Sequence, residues 1–255
     1  MKAIVLAAGM GRRLVPHTDR VPKALVPVRG QPILTHQLRA YRGAAIDDVV
    51  VVRGWCGERL AEFEGPGVRT VENSRFAETN ILHSLFAAEA EISGPFVSCY
   101  GDIVFAPDVV RTLLDAPGDI VLTVDRDWAR SYQGRTEHPA SEAELCRVAD
   151  GRVHRVGKCV GPDGAHGEFI GLARYSASGA EAMVSAWRRL RREYHGREHE
   201  PFADSPAFAR SYLCDLFQHL IDRGVEVRHA DIHGRWREID TRQDLERAER
   251  ECDFL

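Results

Sequence analysis

The 255-residue chain has little of what marks a secreted, membrane-spanning or nucleic-acid-binding protein. Its six cysteines, at 56, 99, 146, 159, 214 and 252, form no CxxC pair and no metal-ligand spacing. That argues against a disulfide framework and a cysteine-ligated metal site, and reduced thiols are expected, with Cys99 and Cys214 reading as small core residues in apolar runs. No apolar stretch approaches the roughly 20 residues that a membrane-spanning helix needs. Ile4-Val5-Leu6 behind Met1-Lys2 stops too soon, at glycines and arginines, to be a signal peptide. The cytoplasm is therefore the expected compartment, with no membrane partner. A net charge of −4 lacks the basic footprint of a nucleic-acid binder. The one arginine cluster, Arg188, Arg189, Arg191 and Arg192, reads as the solvated face of a helix beside Met183, Trp187 and Leu190. No internal repeat or interdomain linker is visible. The length suffices to bury a substantial core, and 44% hydrophobic residues are ordinary for a globular domain.

What is present starts near the N-terminus. A short apolar strand, Ala3 to Ala7, empties into Ala8-Gly9-Met10-Gly11-Arg12-Arg13-Leu14, and further on Pro22-Lys23-Ala24-Leu25-Val26-Pro27-Val28 sets a lysine beside a proline. Backbone N–H groups around Ala8, Gly9 and Gly11, with the fixed charge of Arg12 and Arg13, suit a polyphosphate. The loop lacks the Gly-Lys-Ser/Thr ending of a P-loop, and Leu14 stands where a dinucleotide fingerprint requires Gly or Ala.

These residues resemble the signature of the sugar-nucleotidyltransferase superfamily, Leu-Ala-(Ala/Gly)-Gly-x-Gly-x-Arg-Leu-x-Pro-x-Thr followed by Pro-Lys-x-Leu-x-Pro-Val. Gly9, Gly11, Arg13, Leu14, Pro16, Thr18, Pro22, Lys23, Leu25, Pro27 and Val28 fall in register. The resemblance is strongest over 1–35, useful over 48–102 and 236–245, and thin elsewhere.

The first half of the chain alternates strand and helix signals. Pro32 to Arg42 carries Leu34, Leu38 and Tyr41 on one helical face; Asp48 to Val52 is a buried strand by its β-branched run; Phe96 to Tyr100 is a strand ending at Gly101-Asp102. Such alternation predicts a mostly parallel sheet that binds ligands at the carboxyl ends of its strands. From Asp125 the texture changes. An Asp150-Gly151 turn predicts a hairpin, Gly179 to Tyr194 and Pro206 to Asp222 read as helices, and His195 to Asp204 reads as a mobile loop. Late strands are expected at Val225 to Asp231 and Trp236 to Ile239, then a helix capped by Thr241. The expectation is an α/β, Rossmann-like three-layer sandwich on a mostly parallel mixed sheet. Residues 1–255 form one nucleotidyltransferase domain, and 125–205 a small β/α acceptor-side lid.

Nucleotidyl transfer joins two anions and expels pyrophosphate, so the site needs cations and a divalent metal more than a base. The fork of Arg13 suits the β- and γ-phosphates, and Lys23 the α-phosphate and incoming oxygen. Mg²⁺ takes hard oxygen ligands. The superfamily places one metal-binding Asp after a central strand and another in a late strand, which Asp102 and Asp240 match by position. On the acceptor side, Val156-Gly157-Lys158 resembles the superfamily's late lysine that holds the acceptor phosphate, and Glu168-Phe169-Ile170-Gly171 the Gly-Glu-Phe/Tyr-x-Gly stretch that follows it.

Three features point to one branch. Val52-Arg53-Gly54-Trp55 stands where several members have Gly-Tyr. Thr79-Asn80-Ile81-Leu82-His83-Ser84-Leu85 resembles the Asn-Asn-Ile-x-Ser-Leu segment of phosphocholine and phosphonate cytidylyltransferases, making Asn80 and Ser84 candidates near the pyrimidine. Trp236-x-Glu238-Ile239-Asp240-Thr241 with Asp244-Leu245 looks like the same group's ending. In the insert, Arg135 and His138 add positive character that suits a small, doubly charged acid. A choline acceptor would instead want an aromatic box with an acidic partner, which Trp128 and Tyr132 could begin. The resemblance implies a Mg²⁺-dependent transfer of CMP from CTP to a small phosphonate or phosphorylated alcohol, with a homodimer left open. Transfer of a uridylyl or other nucleotidyl group to a sugar 1-phosphate, phosphocholine cytidylyl transfer and a non-catalytic nucleotide-sensing domain are the alternatives.

Overall fold

The computed structural model describes residues 1–255. The chain runs β1 (Lys2–Ala7), a small hairpin of β2 (Pro27–Val28) and β3 (Gln31–Pro32), α1 (Ile33–Arg42), β4 (Asp48–Arg53), α2 (Glu58–Ala61), β5 (Val68–Glu72), α3 (Ile81–Ala87), β6 (Phe96–Tyr100), β7 (Ile103–Phe105), α4 (Pro107–Asp115) and β8 (Ile120–Asp125). It continues through α5 (Trp128–Tyr132), β9 (Leu145–Ala149), β10 (Arg152–Gly157), β11 (Gly167–Tyr175), α6 (Ala177–Glu193), α7 (Leu213–Ile221), β12 (Val227–Ile232), β13 (Trp236–Glu238) and α8 (Arg242–Glu251). No helix is long and apolar enough to cross a membrane.

Three layers follow from the alternation of strand side chains. In β1, Ile4 and Leu6 join one core with Leu82, Leu85, Trp187 and Phe217, under α3, α6 and α7. Ala3, Val5 and Ala7 join the other with Leu34, Leu38, Val110 and Leu113, under α1 and α4. Between the cores, β1 pairs in parallel with β4 and β6, β4 in parallel with β5, and β12 in parallel with β8. These belong to a nine-stranded sheet. Burial of both faces explains why its strands read as unbroken apolar runs.

Two strands, β10 and β11, run against the rest. β11 is antiparallel to β6, β8 and β9, and its register against β8 breaks between Phe169 and Ala173. Gly171 sits in that break at φ +82°, and a Cβ there would lie 2.3 Å from Tyr100 Cδ2. The glycine thus supplies a left-handed residue and room for the Tyr100 ring at once. The β9–β10 hairpin turns through Asp150 and Gly151 as expected, both at positive φ.

Two local expectations change. Pro206 to Asp222 is not one helix: Phe208–Arg210 is a 3₁₀ turn, and α7 starts only at Leu213. Asp215 takes the backbone N–H of Tyr212 at 2.7 Å and the hydroxyl of Ser205 at 2.7 Å, which fixes the later start. The polar stretch His195 to Asp204 is a set of turns in which Phe202 is buried against Phe208.

Candidate active site

The carboxyl ends of β1 and β6 open onto a cavity of about 270 Å³. At its floor the loop after β1 is drawn tight. Gly11 takes a left-handed conformation, and the Thr18 hydroxyl donates to its carbonyl at 2.7 Å. Trp55, just beyond β4, braces the loop by donating its backbone N–H to the Ala8 carbonyl and its indole N–H to that of Thr18, each at 3.1 Å. Arg13 leaves from a 3₁₀ turn, Arg12–Leu14, anchored by buried Leu14. Lys23 opens a second such turn, Lys23–Leu25.

Asp102 and Asp240 meet because β7 and β13 pair as an antiparallel ladder, Trp236 opposite Phe105 and Glu238 opposite Ile103. The ladder closes with the N–H of Ile239 donating to the carbonyl of Asp102 at 2.8 Å. Lys23 Nζ then donates to Asp102 Oδ2 at 2.7 Å and Asp240 Oδ1 at 2.6 Å, while Arg13 pairs with Asp240 Oδ2. Burial alone would lower the Lys23 pKa, but the two carboxylates outweigh it and hold the ammonium above its ordinary 10.5. Burial likewise pushes Asp240 up, and Lys23, His138 and Arg13 pull it well below 3.8. Asp102 Oδ1 is buried without a partner. With Asp240 it offers the hard oxygen donors that Mg²⁺ takes, so the residues fit that ion.

Behind this cluster stand Glu238 and Arg135. The Arg135 side chain is only 6% exposed and donates to Asp244 at 2.7 Å and to Glu238 at 3.1 Å. His138 is buried with Nδ1 at 3.2 Å from Asp240 and 3.5 Å from Glu238, without hydrogen-bond alignment. Burial, with Asp240 nearby, pushes the Glu238 carboxyl up.

The far end of the cavity is acidic and aromatic. Lys158 Nζ donates to Glu142 at 2.8 Å and lies 4.5 Å from the centre of the Tyr212 ring. Glu144 accepts from the Tyr100 hydroxyl at 2.9 Å and from the Cys214 thiol at 3.1 Å. Burial, only partly offset by Lys158 and these donors, lifts it to about 7. Glu168, 4% exposed, accepts from the Tyr132 hydroxyl at 2.5 Å, and its Oε2 has no partner. Burial raises its pKa well above 4.5.

Of the residues expected from sequence, Ala8, Gly9, Arg13, Lys23, Asn80, Ser84, Asp102, His138, Lys158, Glu168 and Asp240 line this one cavity. Gly11 shapes the loop from behind, and Arg12 is exposed with its guanidinium at Met10 Sδ. Arg135 is not among the cavity-lining residues: it is paired with Glu238 and Asp244, and its guanidinium lies 4.8 Å from the centre of the Tyr132 ring. Asn80 stands at the start of α3 but makes no capping bond; its side-chain amide donates to the carbonyl of Arg210 at 3.0 Å. Ser84 accepts from Asn73 at 3.1 Å. Glu142, Glu144, Tyr100, Tyr212 and Glu238 also line the cavity and were not singled out as site residues. The acidic run at 142–144 was the available signal for the first two.

Residues 3–228 match the family described as the MobA-like NTP transferase domain. The chain is 28% identical to the CTP:phosphoglutamine cytidylyltransferase of Campylobacter jejuni, over 96% of this chain and 98% of that one. It is 29% identical to the CMP-5'-(3-aminopropyl)phosphonate synthase of Streptomyces rubellomurinus, over 91% of this chain but only 38% of that longer protein. Among solved structures, CTP:phosphocholine cytidylyltransferase from Streptococcus pneumoniae superposes with a TM-score of 0.72 at 22% identity, covering 97% of each chain. The phosphate loop, the sheet order and a family match through residues 3–228 together make this chain a member of the MobA-like NTP transferase domain family, within the nucleotidyltransferase superfamily.

Proposed function

We propose that the protein is a CTP-dependent cytidylyltransferase whose acceptor is a small phosphonate or phosphate monoester carrying an ammonium group. An oxygen of the acceptor attacks the α-phosphorus of CTP, the new P–O–P linkage forms, and pyrophosphate leaves. We assign Arg13 to the β- and γ-phosphates, and Lys23 to bridging the α-phosphate and the attacking oxygen, the Lys23 ammonium being kept charged by its carboxylate partners. Asp102 and Asp240 would hold Mg²⁺, which neutralises phosphate charge when bound. Asn80 and Ser84, which line the cavity along with Phe76, are assigned to the base.

The observation that carries the acceptor class is Glu168 Oε2, a buried carboxylate oxygen without a partner, on a wall shared with Glu144, Tyr100 and Tyr132. Such a wall favours a cation and penalises a second anion. The preference for a purely acidic acceptor rests on Arg135 and His138; Arg135 is already paired with Asp244 and Glu238, and His138 is buried beside Asp240. Lys158 remains the ligand for the acceptor's phosphorus oxygens. The relatives support the same reading: one is a CMP-5'-(3-aminopropyl)phosphonate synthase and another a CTP:phosphocholine cytidylyltransferase.

Pyrophosphate release should be measured with each of the four NTPs against aminoalkylphosphonates, phosphocholine, purely acidic phosphonates and glucose 1-phosphate. CTP with an ammonium-bearing acceptor is expected to be fastest. Turnover confined to glucose 1-phosphate, or no turnover with CTP, would overturn the reading.

A further inference from the structure

Away from the catalytic cavity, the edge strand β12 presents His229 and Asp231 on one side, two residues apart as strand geometry requires. His166, immediately before β11, completes a group with them. His229 Nδ1 lies 2.7 Å and His166 Nε2 2.9 Å from the same oxygen, Asp231 Oδ1. All three donor atoms fall within 4.8 Å of one another, and none of these residues lines the cavity.

We propose that His166, His229 and Asp231 form a transition-metal site, independent of the catalytic carboxylates, that takes Zn²⁺, Co²⁺ or Ni²⁺ in preference to Mg²⁺ or Ca²⁺. Two imidazoles and one carboxylate are the donor set of a borderline ion, whereas the alkaline-earth ions take oxygen almost exclusively. The ligands are held in place by backbone pairing. His229 and Asp231 sit opposite Leu122 and Val124 in the β12–β8 ladder, and the N–H of His166 donates to the carbonyl of Cys146 at 2.7 Å. Their side chains are 15–31% exposed, so an ion has access and a fourth position stays open to water or a further ligand.

One neighbour opposes the ion. Arg126 Nη1 lies 3.2 Å from Asp231 Oδ2 and 3.1 Å from His166 Nε2. Its side chain is 39% exposed, so it can swing into solvent when a metal arrives. Arg126 therefore competes for the site, and its removal should act in the opposite direction to removal of a ligand. Once loaded, the site would tie the edge strand to the entry of β11, two residues ahead of Glu168.

The test is a Co²⁺ titration of the metal-stripped full chain, following the visible absorption of tetrahedral cobalt, with Zn²⁺ competition by calorimetry. It is done in an Asp240→Asn background so that the catalytic carboxylates are impaired as a rival site. One equivalent is expected to bind. His166→Ala and His229→Ala should each weaken binding at least about tenfold, and Arg126→Gln should tighten it. His229→Gln, which keeps the bulk of the ring, is the substitute should the alanine variant unfold. Cobalt binding that is unchanged in both histidine variants, or weakened by Arg126→Gln, would overturn the proposal. Neither result touches the cytidylyltransferase reading, which is scored by pyrophosphate release.

Discussion

The ammonium of Lys23 stands 2.6 Å from a carboxylate oxygen of Asp240, a residue 217 positions further along the chain. The pair joins the phosphate loop after β1 to the segment after β13, and the half-buried Asp102 shares the same ammonium.

Lys23→Ala should therefore damage both catalysis and folding. It leaves two carboxylates facing each other without their shared cation, at a cost of about 3–5 kcal/mol. Urea unfolding should show that loss, and pyrophosphate release should fall by about two orders of magnitude or more. Full stability together with full activity would remove Lys23 from the site.

The same cluster fixes a pH window. Asp240 titrates lower in the folded chain than its ordinary 3.8, so its contribution is present above that value and lost as pH falls through the depressed one. Lys23 titrates higher than 10.5, so its contribution is present below that value and lost as pH rises beyond it. Denaturant unfolding across pH should show Asp240→Asn closing the stability gap to wild type only at the acidic end.

Glu144 behaves in the opposite sense. Its folded value of about 7 lies above the ordinary 4.5, so the folded chain binds the extra proton between them and stability falls as pH rises through that window. The slope approaches about 1.4 kcal/mol per pH unit, and Glu144→Gln should remove it. If the acceptor carries an ammonium group, its KM should also fall as pH rises through 7 in wild type and stay flat in the variant.

Arg135→Ala tests the corrected assignment. Loss of a buried guanidinium between Asp244 and Glu238 should lower stability by about 3–5 kcal/mol. At a temperature where the variant is folded, the ranking of acceptors should be unchanged. A switch in that ranking would return Arg135 to the acceptor side.

Gly171→Ala should lower stability by about 2–4 kcal/mol, because the new methyl meets Tyr100 and the backbone is left-handed. Loss of acceptor binding should accompany it, since Tyr100 holds Glu144. Thermal unfolding and acceptor titration together check both effects.

Much of the site was legible because its chemistry is tied to strand ends. Arg13 and Lys23 sit in a loop whose glycines and prolines leave few conformations, and Asp102 and Asp240 each lie within two residues of a strand's end. The acceptor wall was harder to read. Charge alone points Arg135 and His138 to an acidic acceptor, but charge does not tell which side of a wall a side chain faces; the partners of Arg135 lie over a hundred residues away. Glu144 and Tyr100 were invisible as a pair for the same reason. The reversed direction of β11 was not encoded by composition either. Gly171 within Phe169-Ile170-Gly171-Leu172 was its one local trace, and a glycine in a strand marks a break without giving a direction.

The backbone bond from Ile239 to Asp102 has a consequence during synthesis. Synthesis runs from N- to C-terminus, so the phosphate loop is made well before Asp240, which follows Lys23 by 217 positions. Until β13 emerges and pairs with β7, Lys23 has only one of its two acidic partners. A nascent chain can complete most of its central sheet before the Lys23–Asp102–Asp240 cluster exists, so the cluster closes in one step once β13 has emerged.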